Sequence, residues 1–333
     1  MKKLYLHIGP HKTASTYVQK IFLDNRDVLD KKGIVYPVFS DDYMYGHHRL
    51  VGDIKLNRKN GLKEKMEYLK KVDKDIFLSS ENFENLNHAE IKQLSSFLVG
   101  YDIYVIFVKR RVDDLLISNW QESIKHGGED SWLKFFFDHM NRPLMSEIIN
   151  PSKVLDLYAD VFGKDKIKTI DYDYALEEGV DLCDLVCEVI DQPTLKGMGS
   201  QKKINTSLSF EEVEIIRMMN ILYSKKNKCP AKNIARSAYA KFENSHPKDP
   251  TLLELKNLIN QSMMPIILND TFLIQSFHHK FFDNFGSSIV NYREKDKIDI
   301  MKQKVMNLPS DNWHIDTKAM AYLNILYKDI FEK

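Results

Sequence analysis

The stretch Leu4–Gln19, LYLHIGPHKTASTYVQ, constrains this chain more than any other. The apolar run Leu4, Tyr5, Leu6 and Ile8 predicts a buried parallel strand, broken at Gly9-Pro10. A helical pattern follows, with Tyr17, Ile21, Phe22 and Val28 on one side. Between strand and helix stand Lys12, Thr13, Ser15 and Thr16. A turn that feeds a helix N-terminus presents unpaired N–H groups and the positive end of the helix dipole. It is therefore a ready anion site, and a lysine with three hydroxyls suits a phosphate or a sulfate. An ordinary strand-to-helix turn with polar caps is the plainer alternative.

The rest of the chain repeats the strand-then-helix pattern. GIVYPV (33–38) is a short strand candidate, followed by the polar loop SDDYMYGHHRL, with a helix starting near Arg49. Leu62, Met66, Leu69 and Val72 mark an amphipathic helix whose lysines read as a solvated face. DIFLSSENF is an apolar strand ending in Ser79, Ser80, Glu81 and Asn82, and Ile91, Leu94 and Phe97 mark the next helix. YDIYVIFVKRR is the most strand-like segment, β-branched and aromatic, and VDDLLISNWQESIK after it reads as a helix. A helix over 153–162, stopped by Gly163, and the strand KIKTIDYD complete the series. Such alternation implies right-handed crossovers and a parallel sheet covered on both faces. The expectation is an α/β three-layer sandwich, P-loop-like, around about five parallel strands. Ligands in such sheets collect beyond the carboxyl ends of the strands, where the loop after Ile8 and the Ser79–Asn82 corner both lie.

Past Gln192 the chain becomes rich in Lys and Asn with little strand signal, so 1–192 is read as the core and 193–333 as a helical extension packed on it. Ser209 and Glu212 make a capping box, and Leu252–Ile259 and Ala319–Phe331 read as helices. Forty-eight basic against forty-seven acidic residues leave a net charge of +1, so bulk charge suggests no nucleic-acid partner. The start MKKLYLHIGP is too short in apolar residues for a signal peptide, and no transmembrane-length run follows. Three cysteines make no disulfide framework, and Cys183 and Cys187, one helical turn apart, read as small buried apolar residues. The default is a reduced, cytoplasmic protein. No metal site is expected: the adjacent His47 and His48 point apart, with no carboxylate or cysteine at ligand spacing.

The loop is not the Walker pattern, since Lys12 follows Gly9 by three residues rather than six and Ala14 stands where a second glycine is expected. It resembles instead the 5′-phosphosulfate loop of sulfotransferases that use 3′-phosphoadenosine 5′-phosphosulfate (PAPS). That family's Lys-Ser-Gly-Thr-Thr pattern is matched in order by Lys12, Thr13, Ala14, Ser15 and Thr16. Alanine for glycine is tolerable there only at a negative φ. A second stretch agrees with the first. Arg110, Asp114 and Ser118 reproduce the family's Arg-x-x-x-Asp-x-x-x-Ser 3′-phosphate site, although its usual Asn-Pro is Arg111-Val112 here. A strand-end arginine and a hydroxyl on the next helix suit one phosphate, through a bidentate guanidinium.

The resemblance, closest to bacterial carbohydrate sulfotransferases, covers about the first 175 residues well. It implies sulfuryl transfer from PAPS to an acceptor hydroxyl or amine, with a saccharide favoured, releasing adenosine 3′,5′-bisphosphate. His11–Thr16, Arg110 and Ser118 would hold the donor, with Lys12 stabilising the leaving charge. Glu81 is the first choice for the base that takes the acceptor proton, with His48, His47 and His11 as competitors. Lys202, Lys203, Asn205 and Ser207 would form a lid over the nucleotide. A P-loop kinase for a small molecule or nucleotide, and a non-catalytic nucleotide-binding protein, are the alternatives. The oligomeric state is not readable from the sequence.

Overall fold

The computed structural model of the 333-residue chain describes residues 1–192, 195, 197, 208–268, 272–291 and 304–332. The candidate lid residues Lys202, Lys203, Asn205 and Ser207 lie outside the described residues. A central five-stranded sheet is built from β1 (Lys2–His7), β2 (Ile34–Val35), β3 (Asp75–Ser79), β4 (Tyr101–Lys109) and β5 (Ile167–Asp171). All its pairings are parallel, in the order β2-β3-β1-β4-β5. This is the expected three-layer α/β architecture.

The period of two along each strand sorts its side chains into two cores. Leu4, Leu6 and Ile8 join Ile76, Leu78, Val105 and Phe107 on one face, packed against helices His48–Lys55, Lys59–Lys71, His88–Phe97 and Pro151–Phe162. Tyr5, Phe77, Ile106 and Val108 point to the other, against α1 (Ser15–Asp24), the helix Arg26–Lys31 and the helix Leu182–Val189. After β1 the chain packs α1 on the face of Tyr5 and Phe77, while the helix His88–Phe97, after β3, and the helix Pro151–Phe162, before β5, pack on the opposite face. The carboxyl end of β1, flanked by β3 and β4, is thus the switch point where ligands settle in open α/β sheets.

Three local expectations change. The helix after the anion loop breaks at Asn25, and the new helix Arg26–Lys31 buries Leu29 while Val28 is 44 % exposed. The strand at Gly33–Val38 pairs only over Ile34 and Val35, because Pro37 has no N–H to extend the ladder. The lysine face of Lys59–Lys71 is not wholly solvated: Lys65 is buried, with its ammonium 2.8 Å from both Asp41 and Asp53. Cys183 and Cys187 are buried in their helix, and the Ser209–Glu212 capping box forms.

By packing, the chain divides into two compact units built from alternating segments rather than at a single cut. The sheet unit comprises the described residues of Met1–Arg111, Leu144–Ile204 and Leu273–Ile300. The second comprises those of Val112–Pro143, Asn205–Phe272 and Met301–Lys333. It is mainly helical, but it also holds an antiparallel pair, β6 (Met263–Ile267) and β7 (Val305–Pro309), that the sequence did not signal. Its interior is fixed by Glu214, which accepts from Arg217 Nη2 at 2.8 Å and from Trp313 Nε1 at 2.6 Å. Among the described residues no helix is long and apolar enough to cross a membrane.

Asp53 and Lys65 are each almost wholly buried, and without the ammonium Asp53 keeps only the longer contact with the half-exposed Arg58 at 3.6 Å. Lys65→Met is expected to lower stability by about 3 kcal/mol, read as a lower denaturant midpoint at unchanged slope.

Candidate functional site

The loop Ile8–Ala14 leaves β1 with Gly9 at φ +97°, a cis Gly9-Pro10 peptide, and Lys12 and Ala14 at φ 67° and 59°. The expectation of a negative φ at Ala14 is therefore overturned. Ala14 sits left-handed at the N-cap position, held by the β1–α1 packing around it, at a cost of about 1–2 kcal/mol for a residue with a Cβ. In that conformation its carbonyl opens α1, accepting the Tyr17 and Val18 amides at 3.0 and 3.2 Å. Among the described residues no side chain caps α1, and its first turn carries no acidic residue. The helix dipole and first amides are thus presented to whatever lies beyond the loop.

The hydroxyls of the loop divide. Thr13 is buried and its hydroxyl donates to the Pro10 carbonyl at 2.7 Å, and the Ser15 hydroxyl points the same way at 3.4 Å. These two stabilise the turn from within rather than line it, which corrects the picture of three hydroxyls facing an anion. Thr16 is half-buried in the first turn. From the end of β4, Arg110 reaches the loop: its Nη1 donates to the Lys12 carbonyl at 2.5 Å and its guanidinium lies 5.0 Å over the Tyr172 ring. Its Nε is buried and has no hydrogen-bond partner among the described residues. Ser118 occupies the second turn of the helix Val112–Lys125, in the second unit, where Asp114 pairs with Lys304 at 2.6 Å.

Glu81 follows β3 in a 3₁₀ turn, Glu81–Asn85, whose Ser80 side chain accepts from the Asn82 amide. A Cβ on Gly9 would stand 3.1 Å from the Glu81 Cα, so the glycine admits Glu81 against the anion loop. The Glu81 carboxylate accepts from Gln19 Nε2 of α1 at 2.9 Å. Burial pulls its pKa upward, but its own backbone amide, His48, Gln19 and His11 outweigh that and hold it below the ordinary value. Glu81 is thus an ionised, half-buried carboxylate beside the loop.

The histidines separate by role. His47 is buried with both ring nitrogens committed: Nδ1 accepts the Ser79 amide at 3.0 Å and Nε2–H donates to the Pro37 carbonyl at 2.9 Å. Burial drops its pKa to about 4, so it serves as scaffold and is set aside as a base. It also replaces the strand pairing that Pro37 forgoes. His48, at the start of its helix and only 7 % exposed, has Nδ1 2.9 Å from the Ser80 hydroxyl. It is no solvated loop residue, and its electrostatic influence favours the ionised form of Glu81. His11 is the more open, with desolvation lowering its pKa.

Three residues escaped the sequence reading. Gln19 links Glu81 to the Ser79 hydroxyl, which it approaches at 3.2 Å. His7, fully buried, has Nδ1 2.7 Å from that hydroxyl, and burial lowers its pKa to about 4. Glu84 accepts the His11 amide at 3.3 Å, its side chain 10 % exposed, and burial pushes its carboxyl up to about 8. A buried carboxyl leaves no sequence signal, since ENFEN shows two glutamates of equal standing.

No protein-family model matches the chain, and no curated protein matches it in sequence. A search of solved structures returns the crystal structure of a sulfotransferase from Alicyclobacillus acidocaldarius, at 11 % identity and a TM-score of 0.37, covering 65 % of this chain and 90 % of that one.

Two outcomes follow from the local energetics. Ala14→Gly is expected to raise stability by about 0.5–1 kcal/mol in a denaturant titration, because relief of the left-handed strain exceeds the added unfolded-state entropy. Glu84 holds its proton in the folded state up to about pH 8, whereas the unfolded chain releases it near 4.5. Stability therefore falls as pH rises through that window and is level above it. Glu84→Gln should match the parent at about pH 5 and exceed it by about 2–4 kcal/mol at about pH 9, measured by thermal unfolding at both.

Proposed function

We propose that the chain is a PAPS-dependent sulfotransferase, transferring a sulfuryl group to an acceptor hydroxyl or amine. The observation that carries this reading is the N-terminus of α1, uncapped among the described residues, behind a lysine-bearing loop, with a buried Arg110 Nε that has no partner among those residues. These residues fit an anionic donor: the first amides of α1 open behind the loop, Arg110 reaches the loop at the Lys12 carbonyl, and the first turn carries no acidic residue. The loop His11–Thr16 takes the 5′-phosphosulfate, and Arg110 and Ser118 take the 3′-phosphate, the latter pairing resting on their spacing in the sequence.

In the reaction the acceptor oxygen or nitrogen attacks sulfur in line while the bond from sulfur to the 5′-phosphate oxygen breaks. The electron pair leaves with adenosine 3′,5′-bisphosphate, and Lys12 and the loop amides stabilise it, by about 3–4 kcal/mol for each important donor. The acceptor's proton passes to Glu81, which is ionised and borders the loop. His48 is the competing base, 2.9 Å from Ser80 in the same corner. The choice of a saccharide acceptor and of PAPS as donor draws on the loop's resemblance to bacterial carbohydrate sulfotransferases.

Calorimetric titration with adenosine 3′,5′-bisphosphate and AMP tests the reading. Two or three charge-assisted bonds to the 3′-phosphate should favour the bisphosphate by at least about a hundredfold. Arg110→Ala should erase most of that preference with little change in AMP affinity, and folded Lys12→Ala should lose transfer from labelled PAPS across an acceptor panel. Equal affinities in the parent, or a preference for ATP with Mg²⁺, would overturn the assignment in favour of a kinase. Tight bisphosphate binding with no transfer to any acceptor would point to a non-catalytic nucleotide-binding protein.

A further inference from the structure

Gln19 is a wholly interior side chain, 1 % exposed, on the second turn of the helix whose N-terminus forms the anion loop. Its amide nitrogen divides between the Glu81 carboxylate at 2.9 Å and the Ser79 hydroxyl at 3.2 Å. Since Gln19 donates to Ser79, the Ser79 hydroxyl is left to donate to His7 Nδ1, 2.7 Å away. The amide is also clamped from outside. A Cβ on Gly46 would stand 2.7 Å from Gln19 Cδ and 2.8 Å from Nε2, so the loop that leads through His47 into the helix His48–Lys55 closes directly on it. A side chain held by β3, by the Gly46 loop and by its own helix has one orientation, and that orientation aims a donor at Glu81.

We propose that Gln19 is the positioning residue for the proton-accepting carboxylate: its amide hydrogen bond fixes Glu81 in place, so that α1 sets the anion loop and the base together. This rests on the reading of Glu81 as the base. One rigid helix offers its amide end to the donor and, from its second turn, a hydrogen bond to the group that must accept the acceptor's proton. The separation of donor and base is then fixed by helix geometry, at 1.5 Å of rise per residue, rather than by loop flexibility. An amide is suited to the task because it is neutral at every working pH, whereas a lysine or histidine there would neutralise the carboxylate or titrate with it.

The charged and titratable groups that face Glu81 come from every neighbouring element. They are His11 on the anion loop, His48 at the start of its helix, His7 on β1, Tyr36 after β2, and Glu84 on its own turn. Gln19 stands outside that set because it does not titrate, so its replacement by Met changes the hydrogen bonding of Glu81 without adding or deleting a charge.

The test is the titration of Glu81 by NMR on protein labelled at the glutamate side-chain carboxyl carbon, with the resonance assigned by Glu81→Gln. In Gln19→Met, which keeps length and bulk but donates nothing, the Glu81 titration should move upward by about one pH unit. In Gln19→Glu, which keeps the shape, two facing carboxylates should share one proton and raise the apparent midpoint by about two units or more. Binding of adenosine 3′,5′-bisphosphate should be unchanged within about threefold in both variants, because the first turn of α1 is untouched. A role confined to packing would lower the melting temperature and leave the Glu81 titration where it is. That result in either folded variant overturns the assignment, and Gln19→Glu decides if Gln19→Met does not fold. A parent that binds no bisphosphate overturns the functional reading, while the Glu81 titration still decides the role of Gln19.

Discussion

The close approach of Gly9 and Glu81 is the constraint on which the site depends. Two neighbouring parallel strands end side by side, and the loop leaving β1 must pass the turn leaving β3 with only 3.1 Å for an added Cβ. Gly9, at φ +97°, is what permits it. The consequence is that the amide-rich mouth of α1 and a carboxylate meet at the switch point of the sheet. A bulkier residue at position 9 would part the loop from the turn and with it the first amides of α1 from the Glu81 carboxylate.

The surroundings then differentiate groups that the sequence leaves equivalent. Glu81 and Glu84 lie three residues apart in one turn, yet one is held below the ordinary carboxylate range and the other is pushed up to about 8. Both are desolvated, but Glu81 has His48, Gln19 and its own amide to favour its charge, while Glu84 has chiefly the His11 amide and faces Glu81 and Glu147. Environment assigns the protonation state, as it does wherever two carboxyls share a site. The histidines obey the same logic. His47 spends both nitrogens on backbone groups of β3 and of the loop after β2, whereas His48 keeps one ring nitrogen on the Ser80 hydroxyl, beside the turn that carries Glu81.

The sheet was legible because its signals are local and repeated. Leu4, Leu6 and Ile8 alternate with Tyr5, as Ile76 and Leu78 alternate with Phe77, and a period of two survives any tertiary context that buries both faces. The anion loop was legible because Lys12 and three hydroxyls crowd a strand-to-helix junction. What such patterns do not carry is direction. They did not show that Thr13 and Ser15 would turn inward to Pro10, or that a break at Asn25 would bury Leu29 in place of Val28. Nor did they show that Lys65 would leave solvent for Asp53, because each outcome depends on a partner far away in sequence or on one backbone angle.

By itself, the sequence determined the alternation of strands and helices, and hence a parallel sheet with its loops gathered at one end. It also determined the identity of the cation and amides that open α1. These follow from propensity, periodicity and the chirality of crossovers, which act over a few residues. Only the tertiary structure decided that Gln19, spaced like any interior helix residue, would face Glu81 across the strand ends, and that Ala14 would accept a left-handed turn. It likewise decided that His47 would be scaffold. Those outcomes are set by which side chains are desolvated together, and desolvation is a property of the packed chain rather than of any segment of it.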